Sequence, residues 1–184
     1  MATLQELLGS PDAAGVWNLD SDRSTITFRA KSMWGLMPVK GTFNEFSGDG
    51  QVTGDGEVTG GGAVFGRVDI RADSLRTGIK MRDRHLRSAD FFDVEKFPDI
   101  SIVVTAAEPS GEDGARLRAS VTVKGTTLPI ELPATVRVLD DGAARVTTQA
   151  TVDRSQFDVG GNLLGMVTKP VTISCDLVFT RATN

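Results

Sequence analysis

Residues 116–132 read RLRASVTVKGTTLPIEL, and this segment carries the clearest structural signal in the chain. Its first half alternates between apolar and polar side chains, with Leu117, Ala119, Val121 and Val123 as the apolar set. Such alternation is typical of a β-strand that buries one face. Lys124-Gly125-Thr126 interrupts the pattern, and Leu128, Ile130 and Leu132 resume it. The segment therefore predicts two antiparallel strands joined by a tight turn.

The same period of two extends along most of the chain and predicts eight strands. We expect the second strand to be long and to bend between Phe46 and Gly50. Short loops, such as 111–114 and 140–142, favour an up-and-down antiparallel order, and eight such strands close most simply into a barrel without exposed edges. The predicted strands lie at about 24–33, 36–54, 63–72, 100–107, 115–124, 127–139, 143–153 and 171–180.

Two segments depart from the strand period. Residues 79–86 have helical spacing and predict a short helix between the third and fourth strands. Residues 1–15 are expected to form an N-terminal extension, in which one or two helical turns over 3–8 pack outside the main body or fray. The remainder, 16–184, is expected to be one domain, and a loop rich in glycine is expected between Gly54 and Gly62.

Composition excludes several classes of function. A net charge of −4 argues against a nucleic-acid partner and against attraction to an anionic membrane surface. Cys175 is the only cysteine, so an intrachain disulfide and a thiolate-rich metal site are excluded. No stretch approaches the roughly 20 apolar residues of a membrane span, and the first fifteen residues lack the pattern of a signal peptide. A cytoplasmic protein without stable membrane insertion is therefore expected.

The predicted inward face of the barrel is apolar, and several of its residues are small. A barrel of eight strands is either filled by its own side chains or hollow enough for one small ligand. Small inward residues favour an apolar guest, whereas large residues from facing strands would close the gap. The period alone leaves both alternatives open. The small inward residues are Ala30, Gly41, Gly66, Ala119 and Ala150.

Specific motifs resemble the YceI-like family. The central block runs from Ser74 to Pro98 and includes Met81-Arg82-Asp83-Arg84-His85-Leu86 and Asp90-Phe91-Phe92-Asp93. Further matching segments are Trp17-Asn18-Leu19-Asp20, Val39-Lys40-Gly41-Thr42-Phe43, Val123-Lys124-Gly125-Thr126-Thr127 and Val152-Asp153-Arg154-Ser155-Gln156-Phe157. The similarity extends from about Val16 to Phe179. One departure is Arg23, which stands three residues after Asp20, where the family commonly has histidine.

The resemblance implies an extended lipocalin-like barrel of eight antiparallel strands. It also implies that a polyisoprenoid, an isoprenoid quinone or a fatty-acid derivative binds in the central tunnel, for storage, transport or sensing. Family members often form homodimers, so a homodimer is an expectation too. Catalytic residues, metal ligands and cofactors are not predicted. The residues expected to contact the ligand are Phe28, Ala30, Val39, Phe43, Val68, Ile70, Leu86, Phe91, Phe92, Ile102, Val104, Ala119, Val121 and Met166.

The central block also permits other functions. Asp83, His85 and Asp90 could form an acid–base or metal site, but caps on backbone amides and a local bond of His85 are the favoured interpretation. An enzyme using Asp83 and His85 and a filled barrel acting through protein contacts remain the alternatives.

The basic and aromatic residues of this region also allow more than one interpretation. Arg82, Arg84 and Arg87 could meet an anionic head group, although ion pairs with neighbouring aspartates are the favoured interpretation. Arg154 is expected to pair with a carboxylate. One ring of Phe91 and Phe92 is expected to face the barrel and the other to pack under the helix. A lid is expected at the apolar loop that contains Gly160, Gly161, Leu163, Leu164 and Met166.

Overall fold

The computed structural model describes residues 3–32, 35–54, 63–160 and 167–183. Two short α-helices, three 3-10 turns and ten strands make up its regular structure. The helices are α1 (Leu4–Leu8) and α2 (Lys80–Arg87). The strands are β1 (Gly15–Ser32), β2 (Met37–Phe43), β3 (Phe46–Thr53), β4 (Ala63–Arg71), β5 (Leu75–Arg76), β6 (Asp99–Ser110), β7 (Gly114–Val123), β8 (Thr126–Val138), β9 (Ala144–Asp153) and β10 (Pro170–Arg181).

The strands form one closed antiparallel barrel. From β6 to β10 each strand pairs with the next, and β10 pairs back onto β1, which closes the sheet. Both β2 and β3 pair with β1: Ile26–Ser32 lies against β2, and Gly15–Asn18 lies against β3. The two therefore act as one bent strand. If each strand of the barrel wall is called a stave, and β2 and β3 together count as one, the barrel has the eight staves that the sequence predicts.

The bend of the second stave falls at Asn44 and Glu45, just before the predicted position. The backbone N–H groups of both residues donate to Ser74 Oγ, at 3.2 Å and 3.0 Å, instead of to a neighbouring strand. Ser74 is buried, so its hydroxyl takes the place of ladder bonds that the bend interrupts.

The first strand begins at Gly15, nine residues before the predicted start. A bulge shifts its register against β10 between Asp20 and Thr25. There Asp20 Oδ1 accepts bonds from the backbone N–H groups of Asp22 and Arg23. The bulge breaks the alternation of side chains, and the sequence pattern therefore conceals the first half of the strand.

The turn between β7 and β8 has the geometry that the sequence predicts. Val123 pairs with Thr126, so Lys124 and Gly125 form a loop of two residues. Both have positive φ, at 51° and 77°, as a type I′ turn requires. The predicted helix after the third stave is also present, as α2.

We expected the N-terminal residues to pack outside the barrel or to fray, but the structure shows that they are buried against it. Leu4, Leu7 and Leu8 of α1 are buried, and so is Ala13 in the 3-10 turn that follows. They belong to the same apolar cluster as Trp17 and residues of β7, β8 and β9. The spacing of the leucines gives the helix one apolar face, and this face covers one end of the barrel. The division of the chain at residue 15 stays a prediction.

Candidate functional site

The barrel encloses a cavity of about 570 Å³, so its interior is not filled by side chains. Strand alternation places the apolar residues of every stave on this inner surface. Charged side chains on its lining are confined to Arg67, Arg82 and Arg154, with His85 as a titratable fourth. In the described part of the chain, no aspartate or glutamate borders the cavity. An apolar interior of this size is typical of a site that buries most of the surface of one ligand.

Most of the residues predicted to contact a ligand lie on the cavity wall. Their role in binding stays a prediction, because the structure shows only their position. Ala119 is buried but does not border the cavity, since its short side chain lies between its cross-strand partners Val104 and Ile130, which do. Met166 lies outside the described residues, as does most of the predicted lid. The residues on the wall are Phe28, Ala30, Val39, Phe43, Val68, Ile70, Leu86, Phe91, Phe92, Ile102, Val104 and Val121.

Small inward residues leave space at some positions only. A Cβ atom on Gly66 would meet Val104 Cβ at 3.9 Å and Asp49 O at 3.6 Å, both ordinary contacts. A Cβ atom on Gly41 would instead overlap the ring of Phe28. Gly41 therefore makes room for an aromatic ring, whereas Gly66 and its partner Gly50 thin the wall of the cavity.

One end of the cavity is lined by α1 and the first residues of β1. Leu4, Leu7 and Trp17 border it there. Leu4 and Leu7 were not predicted to line the cavity because residues 1–15 were expected to form an external extension, and Trp17 was not because it lies in the half of β1 that the bulge conceals. The spacing of Leu4, Leu7 and Leu8, which is helical, was the available signal. We call this region the helix end.

The opposite end, which we call the mouth, is lined by Arg82, His85 and Arg154. The side chain of His85 is 46% exposed although it borders the cavity, so the cavity reaches solvent here. Strand β1 spans the distance between the two ends. It starts beside α1, and its last residue, Ser32, pairs with Val167, whose carbonyl accepts a bond from Arg154.

Arg154 is held by backbone carbonyls and not by the carboxylate that we expected. Its guanidinium donates to the carbonyl oxygens of Thr168, Val159, Gly160 and Val167, at 2.6–3.1 Å. Partial burial lowers its pKa, although Asp153 opposes this effect. The carbonyls orient the cation without neutralising it, so a positive charge remains at the mouth.

The three arginines of α2 also lack the predicted ion pairs. Arg82 donates to Thr77 Oγ1 at 2.8 Å and to the Thr77 carbonyl at 3.0 Å, and Arg87 donates to the carbonyls of Asp73 and Leu75. Among the described residues, none of the three forms a salt bridge with an aspartate. The reason is that Asp83 and Asp90 have other partners.

Asp83 and His85 do not form a joint acid–base pair. Asp83 is buried and accepts bonds from the backbone N–H and hydroxyl of Thr77, at 2.9 Å and 2.5 Å, so it caps a backbone amide as expected. His85 Nε2 lies 3.2 Å from Asp90 Oδ2, which confirms its local bond. Asp90 therefore binds the histidine ring and not a backbone amide. Residues two apart on a helix point in different directions, and this separates Asp83 from His85.

Phe91 and Phe92 both border the cavity, whereas only one of them was expected to face it. The buried ring of Phe91 stands edge-on to the His85 ring, with centroids 5.0 Å apart. The ring of Phe92 stands edge-on to Phe43 at 6.1 Å. The two rings thus connect α2 to the barrel wall at the mouth.

Cys175 and Arg23 differ in their position relative to the cavity. Cys175 is buried on the cavity wall, and desolvation raises the pKa of its thiol from 9.0 to about 11. Arg23, which stands where the family commonly has histidine, pairs with Asp141 at 2.8 Å and does not border the cavity.

The described helices are all too short and too polar to cross a bilayer.

Residues 17–179 match the family model of the YceI-like domain. A UPF0312 protein of Pseudomonas putida (strain GB-1) is 36% identical over 97 residues, which cover 53% of this chain and 48% of that protein. A UPF0312 protein of Enterobacter sp. (strain 638) is 34% identical over 115 residues, covering 62% and 57%. The chain thus spans about half the length of the curated relatives that it matches.

Two solved structures share the fold. BcnA of Burkholderia cenocepacia has a TM-score of 0.77 and 25% identity, and the match covers 88% of this chain and 99% of BcnA. A polyisoprenoid binding domain from Saccharophagus degradans, implicated in plant cell wall breakdown, has a TM-score of 0.73 and 16% identity, with 90% and 98% covered. At 16% identity, the second comparison establishes the shared fold alone.

Proposed function

This chain belongs to the YceI-like domain family, and from that premise we propose that it holds one long apolar amphiphile inside its barrel without acting on it chemically. The observation that carries the proposal is the cavity of about 570 Å³ in the closed sheet. A polyisoprenoid, an isoprenoid quinone or a fatty-acid derivative fits its chemistry. Such a ligand would be stored, transported or sensed.

Burial of hydrocarbon supplies the driving force. Each buried methylene contributes about 0.8 kcal/mol, so several prenyl or acyl units outweigh the loss of rotamer freedom on entry. An empty apolar cavity also leaves the atoms of its wall without dispersion partners. Apolar walls discriminate weakly between branched and linear chains, at roughly 1–3 kcal/mol per methylene-sized group, so the wall accommodates either class.

The polar groups at the mouth give the ligand a direction. Arg82, His85 and Arg154 lie at this end, whereas Leu4, Leu7 and Trp17 line the other. The hydrocarbon tail therefore points towards α1, and the head group stays near the arginines. Guanidinium groups without carboxylate partners favour a head group that accepts hydrogen bonds, such as a carbonyl, a carboxylate or a phosphate.

The geometry favours binding over catalysis. Asp83 is buried and engaged by Thr77, and His85, which borders the cavity, is paired with the exposed Asp90. A general base must reach the proton that it abstracts, and neither Asp83 nor Asp90 borders the cavity.

The proposal is tested by Gly66→Leu, which adds a side chain to the cavity without a clash at its Cβ. Purified protein is weighed by native mass spectrometry. A separate sample is extracted with organic solvent to recover the bound lipid. We expect wild-type protein to carry an apolar molecule and the variant to carry much less of it, because its dissociation constant should rise at least tenfold, which corresponds to roughly 1.4 kcal/mol.

Ser47→Leu is the matched control, because Ser47 is exposed on the neighbouring strand and does not border the cavity. This variant adds the same side chain outside the barrel and should retain the wild-type lipid content. Equal lipid in wild-type and Gly66→Leu protein would contradict the proposed binding site.

A further inference from the structure

We infer that α1 sets the length of the hydrocarbon chain that the cavity accepts, with Leu4 and Leu7 as the residues that determine this specificity. The inference rests on the proposed function and extends it, because it concerns which members of a lipid series bind. The two leucines border the cavity at the helix end, opposite the polar mouth. A tail whose head group stays at the mouth must therefore stop at their side chains.

The helix is built to keep these leucines in place. Thr3 and Glu6 form a capping box, in which the Thr3 backbone N–H donates to Glu6 Oε2 at 2.7 Å and the Glu6 N–H donates to Thr3 Oγ1 at 3.4 Å. These bonds satisfy backbone groups at the start of the helix, where no intrahelical partner exists. A helix of five residues has little stability of its own, so its order depends on the cap and on packing.

The segment after α1 is fastened to the barrel. Trp17 Nε1 donates to the Ala13 carbonyl at 2.9 Å in a buried bond, and Arg181 Nη2 donates to the Ala14 carbonyl at 2.9 Å. Trp17 belongs to β1 and Arg181 to β10, which are the two strands that close the sheet. The chain is thus fixed to the wall immediately after the turn that carries α1 inward.

The leucines of α1 differ in what they touch, and this difference provides the control. Leu4, Leu7 and Leu8 are 4%, 7% and 9% exposed, and all three belong to the same buried cluster. Only Leu4 and Leu7 also border the cavity. Truncating any of the three removes similar packing, but only truncation of Leu4 or Leu7 lengthens the space available to a tail.

The test measures binding of an isoprenoid alcohol series that lengthens by one five-carbon unit at a time and comprises geraniol, farnesol, geranylgeraniol and geranylfarnesol. Each alcohol displaces the fluorescent probe N-phenyl-1-naphthylamine from delipidated full-length protein. For wild-type protein we expect affinity to rise with chain length up to one member and to fall for the next. Leu4→Ala and Leu7→Ala should move this optimum to a longer alcohol, changing the ratio of the two dissociation constants about tenfold.

Two further variants guard against misfolding as an explanation. Leu7→Phe keeps an apolar side chain and should move the optimum to a shorter alcohol. Leu8→Ala should lower stability against urea while leaving the optimum unchanged. Opposite shifts for the smaller and larger residues at one position cannot arise from a general loss of structure.

The experiment distinguishes a failure of the proposed function from a failure of the length limit set by α1. If wild-type protein binds none of the alcohols, the proposed function fails and the length limit fails with it. If wild-type protein binds them but the optimum is the same in Leu4→Ala, Leu7→Ala and Leu7→Phe, the role of α1 is overturned and the lipid-binding proposal stands. A shift of the optimum in Leu8→Ala equal to that in Leu7→Ala would also overturn it.

Discussion

Cys175 places a titratable thiol inside the apolar barrel. Its thiol lies on the cavity wall, and burial raises the pKa to about 11 from an ordinary value of 9.0. The cause is desolvation, which disfavours the charged thiolate in an apolar environment. The thiol is desolvated because it lies buried among the apolar side chains of the cavity wall.

This shift predicts a loss of stability in alkaline solution. Because the folded pKa is raised, the contribution of Cys175 is fully present below about pH 9 and is lost as the pH rises towards 11, where the unfolded chain already carries thiolate. At pH 10 the cost is about 1 kcal/mol. We expect urea unfolding of wild-type protein at pH 8, 9 and 10 to show this decline, and Cys175→Ala to show less of it.

The comparison is favourable because the chain contains no tyrosine, whose titration would otherwise overlap with that of the thiol. Lysines titrate in both proteins and cancel in the difference. Identical slopes of unfolding free energy against pH for wild-type and Cys175→Ala protein would show that the thiol is solvated.

At the scale of elements, α2 depends on one buried carboxylate. Asp83 is 5% exposed and binds Thr77 in the segment that leads into the helix. These bonds fix the start of α2, and the helix in turn carries Arg82, His85 and Leu86 to the mouth of the cavity. These hydrogen bonds therefore join the loop before the helix to the helix itself.

Removing this carboxylate should destabilise the protein. Asp83→Ala leaves the Thr77 N–H and hydroxyl without their acceptor, at a cost of about 1–3 kcal/mol. Asp83→Asn keeps one oxygen acceptor and should cost less. Asp90→Ala is the control, since this exposed residue lies beyond the C-terminal end of α2 and its loss should change stability by less than about 0.5 kcal/mol. Urea denaturation at neutral pH measures all three, and equal midpoints for Asp83→Ala and Asp90→Ala would contradict the role of Asp83.

The elements were predictable from sequence where one physical signal dominated. Alternation along β7 and β8 fixed the inner face, and Lys124-Gly125 fixed their turn. The first half of β1 was concealed by its bulge after Asp20, because an extra residue reverses which side chains face inward. Alternation likewise could not reveal that Gly41 accommodates the ring of Phe28, since that contact joins two strands.

At the scale of the whole molecule, the sequence pattern does not reveal which residues line the two ends of the barrel. Small inward residues left a hollow and a filled interior both open, whereas the structure shows a cavity that twelve of the predicted contact residues line. The role of α1 depends on Leu4 and Leu7 packing against strands more than a hundred residues away, such as β8. The carbonyl partners of Arg154 also come together only in the folded chain. Local patterns carry no information on either arrangement.

Ligand occupancy should govern the stability of the whole barrel, because a ligand that binds only the folded state stabilises it by mass action. At a free concentration one hundred times its dissociation constant, geranylgeraniol should contribute about 2.7 kcal/mol. For a chain of this length, each kcal/mol raises Tm by roughly 2–4 °C, so delipidated protein should gain about 5–10 °C on reloading. Scanning calorimetry of delipidated and reloaded samples measures this gain. Gly66→Leu protein, whose cavity is blocked, should gain almost nothing under the same conditions. If both proteins gained equally, the alcohol would be binding outside the barrel, and the apolar cavity would not be the site that the ligand stabilises.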